Sequence, residues 1–236
     1  KVVDLIQATH DIKIVKMSIL SGGPYDFSAG QYASLTFEKL PPRDYSMANT
    51  PDTNTLEFHI RLLPDGAVTP HIQNSLKVGD TVNVQGPYGT AYLRENHKGP
   101  IIAVAGGSGL APIQSILRTT LVNRIQQPIT FYFGVRTDRD LYLEEEFKKL
   151  SQSYENFSFI PVISEPNIKT HHRTGFLDDA IAKDFNKVDG NKAYIAGPPV
   201  MVESVVKRLK NLGIQDADCH ADAFYTEAEK KNMEIN

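Results

Sequence analysis

Ile101-Ile102-Ala103-Val104-Ala105-Gly106-Gly107-Ser108-Gly109-Leu110-Ala111-Pro112 is the stretch that decides the fold. An unbroken apolar run followed at once by glycines reads as a strand buried on both faces, as in a parallel sheet. The glycines let the chain turn tightly before a stretch with helical apolar spacing opens at Leu110. At such a turn the backbone N–H groups can approach an anion, whose charge also meets the partial positive charge of the helix N-terminus. The spacing is not the Gly-x-Gly-x-x-Gly of the usual dinucleotide fingerprint, and a turn kept only for close packing would read the same way.

Downstream the alternation repeats. Residues 129–134, 157–163 and 193–196 are further continuous apolar runs, and residues 218–222 add a candidate fifth strand. Residues 110–124, 143–152, 175–184 and 200–212 carry helical spacing, the last closed by Gly213. Strands and helices in this succession predict a doubly wound parallel sheet, whose ligands bind beyond the carboxyl ends of the strands. Two other strand ends therefore matter. Ala196-Gly197-Pro198-Pro199-Val200-Met201 is a second glycine turn opening a helix, although proline in a first helical turn is common for structural reasons alone. Phe133-Gly134-Val135-Arg136-Thr137-Asp138-Arg139-Asp140-Leu141-Tyr142 offers arginines that could grip a ribose phosphate and acids that would prefer ribose hydroxyls. A solvated charged loop is the plainer alternative.

Upstream of Glu95-Asn96-His97-Lys98-Gly99-Pro100 the pattern changes to short alternating or β-branched runs at residues 2–9, 12–20, 32–37, 45–48, 56–63, 81–85 and 90–93. Turn residues such as Ser21-Gly22-Gly23-Pro24 and Gly86-Pro87-Tyr88-Gly89 separate them. This layout predicts a closed antiparallel barrel with one short helix over residues 68–75. The chain thus divides into an antiparallel β-barrel domain over 1–97, an α/β parallel-sheet nucleotide-binding domain over 98–225 and a polar tail over 226–236. Within the barrel, alternation places Arg43 and Tyr45 on one strand face and Ser46 on the other. A guanidinium can fork onto phosphate, an aromatic ring can lie on a planar cofactor, and a hydroxyl both gives and receives a hydrogen bond. Ordinary cross-strand pairing would use the same residue types.

With 236 residues, 41% of them hydrophobic, the chain can bury a substantial core. Its net charge of −3 and scattered basic residues create no field for a phosphate backbone, so nucleic acid is not an expected partner. No apolar run approaches the ~20 residues that span a bilayer, and no signal-peptide layout opens the chain. A cytoplasmic protein away from the membrane is the expectation. Cys219 is the single cysteine, which excludes an internal disulfide or a cluster held by several thiolates of this chain. The seven histidines are too scattered to argue for a zinc site, and no metal ligand is expected.

Arg43-Asp44-Tyr45-Ser46, Gly66-Ala67-Val68-Thr69, Gly107-Ser108-Gly109-Leu110-Ala111-Pro112 and Ala196-Gly197-Pro198-Pro199 occur in the order and approximate spacing of the ferredoxin–NADP reductase superfamily. The chain resembles that superfamily over nearly its whole length. Its texture, including His220-Ala221-Asp222-Ala223-Phe224-Tyr225, is most similar to the reductase components of bacterial aromatic ring-hydroxylating dioxygenases of the naphthalene dioxygenase type. The resemblance implies an NAD(P)H-dependent ferredoxin reductase. FAD would accept a hydride from NADH, with NADPH possible, and electrons would leave singly to a ferredoxin or iron–sulfur domain and indirectly to a terminal oxygenase.

On the same resemblance, Arg43 would hold the flavin pyrophosphate, Tyr45 would lie against the isoalloxazine and Ser46 would sit near its N5. His59, Ile60 and Arg61 would run beside the ribityl chain, while Gly66, Val68 and Thr69 would meet the phosphates. Gly107, Ser108, Gly109 and Pro112, with Gly197, Pro198 and Met201, would form the nicotinamide nucleotide site. Gly134, Arg136 and Asp140 would surround the adenosine ribose, and Phe224 would cover the flavin face that nicotinamide must reach. Ser46, Tyr45 and Phe224 are the residues placed nearest the chemistry. Ala196 departs from the many members that carry a cysteine there, so that thiol's role is absent or filled otherwise. A 2Fe–2S cluster is expected only in a preceding N-terminal domain, since related reductases often place one before such a barrel and this chain opens on Lys1. A free-standing flavin reductase and a non-catalytic nucleotide-sensing module are the alternatives on the same fold.

Overall fold

The computed structural model describes residues 1–124, 126–166 and 170–226. Its first part contains β1 (Val2–Gln7), β2 (Ile12–Ser18), β3 (Tyr32–Phe37), β4 (Arg43–Ser46), β5 (Thr55–Arg61), α1 (Val68–Asn74) and β6 (Val82–Tyr88). They pair as two antiparallel three-stranded sheets, β1-β2-β5 and β4-β3-β6. Two seams join the sheets into a barrel. Met47 bridges Phe58 on one side, supported by Ala48 N–H donating to the Glu57 carbonyl at 2.7 Å. On the other, Val2 N–H donates to the Asp80 carbonyl at 2.8 Å and Gly79 N–H to the Val2 carbonyl at 2.9 Å. Closure removes most open strand edge, and alternate residues such as Val15, Leu35, Met47 and Phe58 fill the interior.

Two strand expectations change. The fourth strand covers Arg43–Ser46 and not residues 45–48, so Met47 contributes only the seam bridge. Residues 90–93 form no strand. There Arg94 turns back on the chain, its guanidinium lying 3.6 Å from the Tyr92 ring centroid and donating to the carbonyls of Tyr92 at 3.1 Å and Thr90 at 2.9 Å. The carbonyls that a ladder would use are satisfied by one side chain.

The second part runs β7 (Ile101–Gly106), α2 (Leu110–Val122), β8 (Ile129–Val135), α3 (Glu144–Ser153), β9 (Phe157–Ile163), β10 (Arg173–Thr174), α4 (Leu177–Asp184), β11 (Lys192–Gly197), α5 (Pro199–Asn211) and β12 (Cys219–Ala223). The strands form one parallel sheet ordered β10-β9-β8-β7-β11-β12. It has six strands where five were expected, because two-residue β10 is too short to carry a pattern. Ala103, Phe131, Phe133 and Tyr194 share one core with α2, and Ile102, Val104, Tyr132 and Ile195 share another with residues of α4 and α5. The chain adds strands on one side of β7 and then returns to add β11 on the other. That reversal is the switch point at which open α/β sheets bind ligands.

Helix α2 is buried nearly all round, with Gln114 and Ser115 at 0% exposure. It is trapped between the sheet and the barrel, whose Ile12, Ala29 and Leu93 belong to the same apolar core as its Ile113, Ile116 and Leu117. Among the described residues no helix is long and apolar enough to cross a membrane. Most of the expected tail, residues 227–236, lies outside the described residues.

Candidate functional site

The two glycine turns meet. Gly107, after β7, adopts φ +54°, and a Cβ built on it would find open space. A Cβ on Gly109 would run into the Ala196 carbonyl, one on Gly106 would lie 2.6 Å from Met201 Sδ, and one on Gly197 would lie 2.9 Å from the Gly106 carbonyl oxygen. Glycine is therefore required on both sides of the switch point so that the ends of β7 and β11 can touch. The open side of Gly107 leaves a cradle of backbone at the start of α2, suited to an anionic pyrophosphate. Phe224 N–H donates to the Gly197 carbonyl at 2.9 Å, which brings the residue after β12 to the same place.

On the barrel side, Tyr45 is half-buried opposite Ala33, and Ser46 is buried opposite Tyr32. Burial raises the Tyr45 phenol well above its ordinary range against the opposing pull of Arg43, so the ring stays neutral. One Arg43 Nη donates to the Pro42 carbonyl at 2.8 Å, keeping the guanidinium beside its own strand. Gly66 holds φ +92° just before α1. Thr69 Oγ1 donates to the Leu63 carbonyl at 2.8 Å, so its proton is already used and a phosphate there would rely on backbone N–H groups. Val68 and Ile60 point into the barrel core, and Arg61 donates to Asp11 at 3.1 Å. The buried His59 ring lies against Tyr142 and Glu57, so a cofactor contact at this position falls to its backbone.

At the third strand end, Gly134 gives room to Leu177, whose Cδ1 would lie 2.5 Å from an added Cβ. Asp140 accepts from Thr137 N–H at 2.9 Å and Thr137 Oγ1 at 2.7 Å, a reciprocal cap of a short helical turn. Asp138 accepts from Thr170 at 2.7 Å, while Arg136 is largely exposed beside Glu165. Both acids are thus engaged locally before any ribose arrives. His10, Asp11 and Asp140 bring ligand-capable atoms within 4.8 Å of one another, but Arg61 at 3.1 Å from Asp11 and Arg139 at 3.9 Å from Asp140 already balance those carboxylates.

Two residues of the stretch 220–225 that were given no role of their own lie close to this region. Asp222 pairs in register with Ala196, and burial pushes its carboxyl up to about 6. Its charge also helps raise the Tyr32 phenol, after burial and Asp44, which places the end of β12 near the start of β3. His220 stacks on Tyr194 with ring centroids 5.4 Å apart, and burial with the charges of Arg94 and Lys192 lowers its imidazole to about 4. An acid amid small residues in a strand was the available signal, since Asp is depleted in strands.

The profile of the oxidoreductase FAD-binding domain matches residues 1–92, and that of the oxidoreductase NAD-binding domain matches residues 103–207. The chain is 42% identical over 224 residues to the naphthalene 1,2-dioxygenase system ferredoxin–NAD(P)(+) reductase component of Pseudomonas putida, covering 95% of this chain and 68% of that one. Among solved structures, the Amycolatopsis cytochrome P450 reductase GcoB superposes with TM-score 0.88 at 33% identity, covering 94% of this chain and 68% of that chain. The ferredoxin reductase in carbazole 1,9a-dioxygenase gives TM-score 0.85 at 28% identity, covering 95% and 68%. The chain therefore spans about two thirds of the length of each of these relatives.

Proposed function

Because the chain belongs to the oxidoreductase family that joins an FAD-binding domain to an NAD-binding domain, we propose that it is an NAD(P)H-dependent reductase feeding single electrons to an iron–sulfur protein. The proposed acceptor is a ferredoxin or iron–sulfur domain serving an aromatic ring oxygenase, with a cytoplasmic setting. Residues 1–97 are taken as the flavin domain and 98–225 as the nucleotide domain. The observation that carries this reading is the contact of the glycine turns after β7 and β11 at the switch point, in a chain whose barrel carries Arg43, Tyr45 and Ser46 on β4. Bound FAD supplies the conversion of a two-electron hydride donor into two one-electron steps.

The chain's own residues bind and orient. In this reading Arg43 meets the flavin pyrophosphate, Tyr45 presents a neutral ring to the isoalloxazine and Ser46 offers a hydroxyl near N5. The backbone of residues 59–61 and of Gly66 and Val68 follows the ribityl chain and phosphates, with Thr69 holding that turn together through Leu63. Gly107, Ser108, Gly109, Pro112, Gly197, Pro198 and Met201 cradle the nicotinamide nucleotide, and Gly134, Arg136 and Asp140 border its ribose. Phe224 covers the flavin face and excludes water until nicotinamide displaces it. NADH is favoured over NADPH in this reading, because Asp138 and Asp140 at the strand end would repel a 2′-phosphate, against the opposing pull of Arg136 and Arg139. Purified protein reconstituted with FAD should be bleached by NADH and should then reduce a 2Fe–2S ferredoxin much faster than free flavin. Faster turnover on free flavin than on any ferredoxin would reject the assignment.

A further inference from the structure

We propose that Tyr142 is a positioning residue that, through His59, sets the Gly107 turn in register with the flavin barrel. The inference rests on reading those two elements as nucleotide and flavin sites. Tyr142 closes the third strand-end stretch but was given no role of its own, yet it is 4% exposed and its hydroxyl is 3.0 Å from His59 Nδ1 and 3.5 Å from the Gly107 carbonyl. It therefore touches both halves of the molecule at once.

The direction of these hydrogen bonds follows from the far end of the chain of contacts. His59 Nε2 is 3.0 Å from Glu57 Oε1, and Gln114 Nε2 donates to the same oxygen at 2.9 Å. Burial pushes the Glu57 carboxyl up, but the hydrogen bonds from His59 and Gln114 and the charge of Arg118 outweigh it and hold the group below the usual carboxylate range. An ionised carboxylate only accepts, so His59 carries its proton on Nε2. Burial also lowers the His59 imidazole, which keeps the ring neutral and leaves Nδ1 as an acceptor. Burial and the charge of Glu57 raise the Tyr142 phenol well above its ordinary value, so it remains a donor. Its single proton goes to His59 Nδ1 at 3.0 Å, so the 3.5 Å approach to the Gly107 carbonyl is a packing contact, and the bond to His59 is what ties the residue beside the Gly107 turn to the barrel.

The same network reaches the flavin side. Gln114 Nε2 also donates to the Ala48 carbonyl at 3.1 Å, and Ser115 Oγ to the Asn49 carbonyl at 2.6 Å. Ala48 and Asn49 follow Ser46 directly after Met47, so the helix that begins at the glycine turn is stitched to the chain beside the proposed N5 contact. Tyr142 is held by packing as well, with ring centroids 5.7 Å from Phe133 and 5.5 Å from His59. Leu143 sits next to it at φ 57°, a left-handed conformation without glycine's freedom, which turns the chain so that Tyr142 points inward while α3 starts outward. Hydride transfer depends steeply on the mutual placement of donor and acceptor. A hydroxyl that fixes the two platforms therefore acts on rate more than on nucleotide affinity.

Tyr142→Phe keeps the ring and deletes the proton. In the full-length, FAD-loaded chain, single-turnover reduction by NADH should slow at least tenfold while the NADH Kd stays within twofold, and amide exchange across residues 107–110 should rise severalfold. His59→Leu should move the same three readouts in the same direction, and adding Tyr142→Phe to it should change the reduction rate less than twofold. Unchanged exchange and rate in Tyr142→Phe would overturn the proposal. So would a full tenfold loss in the His59→Leu background, because the hydroxyl would then act on another partner. If the wild type bound FAD but NADH did not reduce it, the functional reading would fall, while exchange at residues 107–110 in the two variants would still decide whether the brace exists.

Discussion

Asp222→Asn should make the protein more stable at pH 8 and leave it unchanged at pH 3.5. Burial pushes the Asp222 carboxyl from 3.8 to about 6, so between those values the folded chain keeps a proton that the unfolded chain has released. Stability then falls as pH climbs through that window, and the penalty is complete above about pH 6. A shift of this size corresponds to about 3 kcal/mol. Asn keeps the shape without the charge, so the variant should gain about 2–3 kcal/mol at pH 8, or about 5–10 °C in Tm for a chain of this length. His220, two residues earlier, works in the opposite sense. Its imidazole is lowered from 6.5 to about 4, so its contribution is present above the unfolded value and lost as pH falls through that window. The two slopes oppose each other between about pH 4 and 6, and only the difference between wild type and variant exposes Asp222. Urea denaturation followed by far-UV circular dichroism at half-unit pH steps measures that difference. Parallel stability profiles for the two proteins across the whole range would refute burial as the state of this carboxyl.

Arg43→Ala should loosen FAD by about 1.5–3 kcal/mol, the worth of one charge-assisted phosphate contact, without slowing reduction of the flavin that remains bound; fluorescence of released FAD reads the affinity. Ser46→Ala should do the reverse, and an unchanged stopped-flow reduction rate would remove Ser46 from the chemistry. Gly109→Ala drives a methyl group against the Ala196 carbonyl, so NADH affinity measured by titration should fall at least about tenfold, or about 1.4 kcal/mol, with FAD affinity intact. Phe224→Ala should tighten nicotinamide stacking and narrow the difference between NADH and NADPH. A variant that melts earlier yet keeps wild-type nucleotide kinetics would make Phe224 a core residue and nothing more.

The parallel sheet was legible because strands covered on both faces leave continuous apolar runs, and the glycine turns after β7 and β11 were legible because no other residue allows two strand ends to touch so closely. Residues 90–93 misled because Arg94, just beyond the run, takes the carbonyls that a strand would have paired. His59 shows a different limit. Alternation assigned it to a strand, but its partner Tyr142 is 83 residues away, and no local pattern announces such a pair. The same holds for Asp222, whose altered acidity is a property of what surrounds it.

A signal for the joint did exist in α2. An amphipathic surface helix places polar residues on one stripe, whereas a helix buried all round has no solvent face on which to put them. Gln114 and Ser115 lie in a helix buried on nearly every side, and both are at 0% exposure. Two adjacent polar residues in such a place must find partners within the protein, because an unpaired buried amide or hydroxyl is costly. The partners they find are in the barrel, the Ala48 carbonyl and Glu57 for the Gln114 amide and the Asn49 carbonyl for Ser115. The change of pattern near residue 97 thus marks a change of architecture, while the packing runs through it from Ile12, Ala29 and Leu93 into α2. The turn after β7 and the chain just after β4 are thus joined through one buried helix by the bonds of Gln114 and Ser115 to Ala48 and Asn49.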